Sequence, residues 1–186
     1  MSENAKEAIM TAARLMAQAH GYGGLNFREI GAAVGIKHTS VYHHFPSKAD
    51  LGAALARRYW QDTAARLEEL LPAHGDPKMA LHAYPGLFRA SLEAENRMCL
   101  AGFMAAEYDD LPDPVKTEVQ AFANINVAWL ASMLTALGHS AAESENRARA
   151  IFAAIGGAQL LARSRADLGL FDTLVASYIK AGLIPA

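Results

Sequence analysis

The sequence predicts an all-α fold: an N-terminal helix-turn-helix domain joined to a C-terminal helical ligand-binding and dimerisation domain. Three observations carry the prediction. Ala, Leu, Arg and Glu recur at helical spacing, no stretch sustains the two-residue alternation of strands, and three short helical segments crowd into the first 46 residues. The chain has 186 residues, 52% of them hydrophobic and 19% charged, which rules out general disorder and gives enough apolar mass for a sizeable core.

The first helix is expected from about Asn4 to His20, with Ile9, Ala13, Met16 and His20 on the inward period, and Gly21, Gly23 and Gly24 end it. The second begins with Asn26 as N-cap. Glu29 stands three residues on, as in a capping box, and Leu25 and Ile30 are spaced as a hydrophobic staple. It ends at Gly35, where the chain must turn sharply and glycine reaches the left-handed conformation at least cost. The third helix runs from Lys37 to His44 with Val41 inward, and Phe45-Pro46 closes it. Ser47 caps a fourth, with Asp50 completing a second box. Two prolines and a glycine in residues 71–77 should stop that helix and start another. Later helices are expected near 77–95, 98–108, 113–137, 141–164 and 166–182. The domain boundaries follow: a head over 1–46, a connecting helix over 47–71 and a body over 72–186.

Two short helices joined by a tight glycine turn form a helix-turn-helix, whose third helix can enter a DNA major groove while the second crosses the backbone. Charge agrees. Residues 1–60 hold seven Lys/Arg against four Asp/Glu, a net +3, so the remainder carries −5. A basic head on an acidic body suits a polyanion-binding end. Lys37, His38, Thr39 and His43 offer donors on the third helix, Tyr42 a phenolic hydroxyl, and Lys48, with the amides of the fourth helix, a grip on a phosphate.

Residues 24–51, and above all the run Val41-Tyr42-His43-His44-Phe45-Pro46-Ser47-Lys48 with Leu51 three positions on, resemble the DNA-binding domain of the TetR family of bacterial transcriptional regulators. The resemblance is firm over about 5–60. Looser stretches at 99–107, 111–115 and 154–163 resemble the ligand-binding body of one branch of that family. It implies phosphate contacts from Tyr42 and Lys48, and places Arg28, Lys37, His38, Thr39 and His43 near bases or backbone. Asn26 stands where Thr is usual, and Lys37 where a small capping residue is common. The resulting DNA-contact set is Asn26, Arg28, Lys37, His38, Thr39, Tyr42, His43 and Lys48. The resemblance also implies a homodimer joined through the last two long helices, a double-stranded operator as partner, and repression relieved by a small-molecule effector.

Several residues carry two readings. Phe88, Phe103, Met104, Phe122 and Trp129 are core residues by spacing, or together with Asn126 the lining of a ligand pocket. Asn126, the one polar member of the stripe Val119, Phe122, Asn126, Trp129, Leu130, Met133 and Leu137, either bonds a neighbouring helix or orients a ligand. Cys99 is either a small buried hydrophobe or, as in some members of the resembled branch, a sensor thiol for electrophiles and oxidants. Gly156-Gly157 inside a helix implies close helix approach. With Ile151, Phe152, Ile155, Leu160 and Leu161, and Leu168, Phe171, Leu174, Val175 and Tyr178 on the last helix, it suggests either a four-helix dimer interface or packing against the fifth to seventh helices of the same chain.

Other classes find little support. No P-loop, G-x-S-x-G or H-E-x-x-H appears, so no enzyme, catalytic residue or cofactor is expected, and the spacing of His38, His43 and His44 does not suit a metal. A ligand-binding helical protein without DNA binding is the remaining rival. The uncharged stretch from Val119 to Ala142 is interrupted by Gln120, Asn124, Asn126, Ser132, Thr135 and His139 and reads as a central helix rather than a membrane span. With one cysteine and no basic-apolar leader, a cytoplasmic location is expected.

Overall fold

The computed structural model describes residues 2–186, with side chains from Asn4 onward. The all-α expectation holds. The described residues form ten α-helices: α1 Ser2–His20, α2 Phe27–Val34, α3 His38–His44, α4 Lys48–His74, α5 Pro77–Ala83, α6 Gly86–Glu93, α7 Leu100–Ala106, α8 Asp113–Ala136, α9 Ala141–Ser164 and α10 Leu168–Lys180. A 3-10 turn, Tyr108–Asp110, separates α7 from α8. None of these helices is long and apolar enough to cross a membrane.

Packing divides the chain into two compact units that are not contiguous in sequence. The first holds the residues up to Trp60 together with Cys99–Phe122, and the second holds Gln61–Met98 with Ala123–Ala186. The helices α4 and α8 thus each contribute residues to both units.

The first unit is built on α1, whose Ile9, Ala13 and Ala17 are fully buried, against Ile30 of α2, Val41 of α3 and Leu51 and Leu55 of α4. Leu100 and Met104 of α7, Leu111, and Val115 and Val119 of α8 complete the same core. His20, expected inward, is exposed at the end of α1, and Ala17 takes the inward place. In the second unit α9 packs on α10 and α6. Its buried residues include Leu81, Tyr84, Phe88, Leu130, Leu134, Ile151, Ile155 and Phe171.

Two differences in the helix ends have a plain physical reason. Pro72 does not stop α4, which continues to His74. The fixed φ of proline is itself helical, so the chain carries on past Pro72 without that residue's backbone bond, and Gly75 at φ 82° makes the turn instead, its N–H donating to the Leu71 carbonyl at 2.9 Å. The helix expected over 77–95 is two, because Pro85 has no N–H to continue α5, and α6 restarts behind it. Leu137, expected inward, lies just past the end of α8 and is exposed, and Leu134 takes its place in the core. Among the apolar residues expected at a dimer face, Ile151, Ile155 and Phe171 are buried within the chain itself.

Candidate nucleic-acid interface and candidate ligand site

The head forms as its local chemistry dictates. The Asn26 side-chain carbonyl accepts from the Arg28 and Glu29 N–H groups at 2.9 and 3.4 Å, satisfying two of the free donors at the start of α2. Gly35 closes α2 in the left-handed region at φ 76°, and the Ile36 N–H donates to the Gly31 carbonyl at 2.9 Å. Gly31 is the residue that lets α3 come so close. A Cβ there would stand 2.9 Å from the Ile36 carbonyl oxygen and 3.2 Å from the His38 nitrogen, both backbone atoms. Lys37 sits in extended backbone ahead of α3 and makes no side-chain cap bond, since an ammonium accepts none. At α4 the box is complete in hydroxyl form: the Asp50 N–H donates to Ser47 Oγ at 3.1 Å and the Ser47 hydroxyl donates to the Asp50 carboxylate at 2.6 Å.

These elements leave α3 with one side chain inward. Val41 is fully buried, while Lys37, His38, Thr39, Ser40, Tyr42 and His43 are all exposed. Tyr42 is 51% exposed, yet its ring leans on Phe27 at 4.6 Å between centroids, which fixes where the hydroxyl points. Asn26 and Arg28 are exposed on α2's approach. Lys48 is half-buried, its Nζ donating to the Gly23 carbonyl at 2.8 Å and lying 4.9 Å from the Tyr22 ring centroid. One of its three donors is thereby used.

The seven residues expected around a ligand fall in two groups. In the second unit Asn126 is wholly buried and accepts from the Tyr84 hydroxyl at 2.9 Å. Trp129 stacks on the same tyrosine ring at 5.7 Å, and Phe88 leans on it at 5.5 Å. In the first unit Cys99, Phe122 and Met104 are buried and Phe103 is half-buried. The Phe122 ring lies 5.5 Å from Tyr59, and the Tyr59 hydroxyl bonds the Cys99 sulfur. Met104 belongs to the core around α1. Cys99 is 2% exposed, and burial pushes its thiol pKa up, away from the thiolate.

Sequence reasoning missed Tyr84, the residue on which one cluster turns. It sits against Pro85 at the break read as continuous helix. Glu118 was also missed: its carboxylate accepts from Arg57 Nε at 2.9 Å and from the Trp60 indole N–H at 2.7 Å. The Arg57 guanidinium holds that carboxyl below its usual range against the opposing effect of burial. A groove of about 620 Å3 on the second unit, between α8 and the start of α9, is lined by Val127, Ala131, Thr135, Glu145 and Arg149 among others, and by none of the expected ligand residues.

The α9 glycines are open. A Cβ at Gly156 or Gly157 would meet nothing within 4 Å, and on the same helix Leu160 is 58% exposed and Leu161 41%. The close approach expected of these glycines is therefore not made within the chain.

Comparison with known proteins adds to this geometry. The family described as bacterial regulatory proteins, tetR family, matches residues 9–55. The HTH-type transcriptional repressor AcnR of Corynebacterium glutamicum is 35% identical over 72 residues, which are 39% of this chain and 36% of that repressor. The match thus spans about a third of the relative's length. Among solved structures, a TetR transcriptional regulator from Legionella pneumophila aligns with a TM-score of 0.89 and 28% identity, covering 95% of this chain and 96% of its own. A TetR-family transcriptional regulator from Agrobacterium tumefaciens aligns with a TM-score of 0.87 and 28% identity over 97% and 98% of the two chains.

Proposed function

The chain belongs to the TetR family of bacterial regulatory proteins, and from that premise we propose that it is a ligand-responsive cytoplasmic repressor that binds a pseudo-palindromic operator as a homodimer. Residues 1–46 read DNA, 47–71 connect, and 72–186 bind the effector and dimerise. The observation that carries the reading is α3: a tightly mounted helix with Val41 alone inward and a row of donors from Lys37 to His43 facing out. Such a row serves a partner outside the chain, and the major groove of duplex DNA fits its size and chemistry. Asn26, Arg28, Tyr42 and Lys48 flank it for phosphates.

Open glycines beside exposed leucines on α9 support dimerisation through the last two helices, which sets one α3 in each half-site. Asn126 and Trp129 with Phe88 are the ligand-facing candidates of the second unit, and Cys99, Phe103, Met104 and Phe122 those of the first. An effector lowers operator affinity to the extent that it prefers the arrangement that does not bind DNA.

The experiment is selection of duplexes from a random pool with the full chain, followed by titration of the recovered sequence against random competitor. We expect a two-fold symmetric site and a log–log salt slope of about −0.9 for each neutralised phosphate. Equal affinity for selected and random duplex would reject the reading. A thiol-sensing alternative through Cys99 predicts that thiol reagents release the wild type but not Cys99→Ser from DNA. The buried, raised-pKa thiol favours equal behaviour of the two.

A further inference from the structure

Glu107 has no role in any reading above, yet it makes a polar contact with the head across 85 positions of chain. It follows α7 directly, and its carboxylate accepts two consecutive backbone N–H groups of the turn between α1 and α2: Tyr22 at 2.6 Å and Gly23 at 3.1 Å. The turn is built to admit it. Gly21 lies at φ 73°, and a Cβ there would stand 2.4 Å from a Glu107 carboxylate oxygen. On the same two residues, Lys48 makes its own contacts: Nζ donates to the Gly23 carbonyl at 2.8 Å and rests 4.9 Å from the Tyr22 ring centroid.

We infer that Glu107 is a positioning residue for DNA contact, acting through the 22–23 turn on Lys48. This rests on the operator-binding reading. Tyr22 and Leu25 are anchored in the core, and the Leu25 N–H donates to the Tyr22 carbonyl at 3.1 Å, but Gly23 and Gly24 between them carry no side chain to hold their peptides, and glycine backbone is the most mobile when unrestrained. Two bonds to one carboxylate supply the missing restraint on the Gly23 peptide, a geometry in which successive N–H groups converge on an anion. The carbonyl that anchors Lys48 is the next group along the chain. With it fixed, the ammonium is held at the start of α4 with two donors left for a phosphate oxygen. Without it, the ammonium is no longer held at the start of α4 and the phosphate contact is lost. Glu107 thus acts on the protein side of the turn and touches no nucleic acid.

The test is a double-mutant cycle in the full chain on a duplex recovered by selection, with affinity measured across a salt series and folding checked by circular dichroism and thermal melting. Lys48→Ala is expected to lower affinity about tenfold and to reduce the salt slope by about 0.9, the signature of one lost phosphate contact. Glu107→Ala is expected to do the same, and the double variant to be no weaker than Lys48→Ala within about twofold, since both remove one contact. Glu107→Gln, which keeps a neutral acceptor for one N–H, is expected to fall between. A residue that merely stabilises the fold would lower the melting temperature and leave the slope alone. Wild-type affinity and slope in folded Glu107→Ala, or losses that multiply in the double variant, overturn the proposal. If Glu107→Ala does not fold, Glu107→Gln carries the cycle on the same criteria. A wild type with no preference for the selected duplex instead overturns the operator-binding reading, and this proposal with it.

Discussion

The outer face of α3 and the Tyr84–Asn126 cluster hold polar groups in opposite ways. On α3 the donors face outward from a single buried anchor, Val41, and end in solvent. In the second unit Asn126 is enclosed among aromatic rings and already has the Tyr84 hydroxyl. A polar row held rigid and open argues for a partner outside the chain. A buried group that is hydrogen-bonded needs none to explain it. The outer face of α3 is thus left for a partner, whereas the Tyr84–Asn126 cluster is accounted for within the chain, although both hold residues of suitable chemistry.

That contrast can be broken most sharply at α3. Thr39→Ala, Tyr42→Phe and His43→Ala together should weaken binding to the selected operator by on the order of 100-fold, at about 1 kcal/mol per lost hydrogen bond. The phenylalanine keeps the ring against Phe27, so the melting temperature should not move; a matching fall in stability would mean that the outward row is part of the fold. A second measurement concerns the mount. Gly31→Val pushes side-chain atoms into the Ile36 and His38 backbone and should cost about 2 kcal/mol in denaturant unfolding, with loss of operator affinity on top.

The buried cluster is sharpened by Tyr84→Phe. Removing the hydroxyl withdraws a donor from Asn126, and a cost of about 1.5 kcal/mol in chemical unfolding is expected. A negligible cost would instead mark Asn126 as satisfied elsewhere and free to orient a ligand. The smallest effect lies at Glu118. Its folded pKa is lowered, so its pairing stabilises the protein above the ordinary carboxylate value of 4.5 and is lost as pH falls through the lower folded value. Stability curves of wild type and Glu118→Gln should accordingly differ at pH 6 and converge toward pH 3.

What was legible in the sequence divides along the same line. Asn26, Gly35 and Ser47 act on backbone groups within a few positions, so their residue types announced the caps and the turn before any contact was known. The outward set on α3 followed from one anchor and the helical period. Tyr84, Glu107 and Glu118 were silent because each acts on a partner between 42 and 85 positions away, and no spacing rule reaches that far. The split of 77–95 was written in Pro85, but an otherwise good helical pattern on both sides masked it. At the end of α8 the choice between Leu134 and Leu137 depended on where the helix stops and which helices lie alongside.

The first unit's composition from two stretches of chain has a consequence for how such a protein can be cut or recombined. Leu100, Met104, Leu111, Val115 and Val119 arrive from the later stretch to finish a core begun by α1 to α4. A fragment ending anywhere in the 61–98 stretch would carry the whole reading motif yet lack those five side chains, leaving oily surface bare to water. Grafting the head onto an unrelated body therefore demands that the graft bring its own substitute for them.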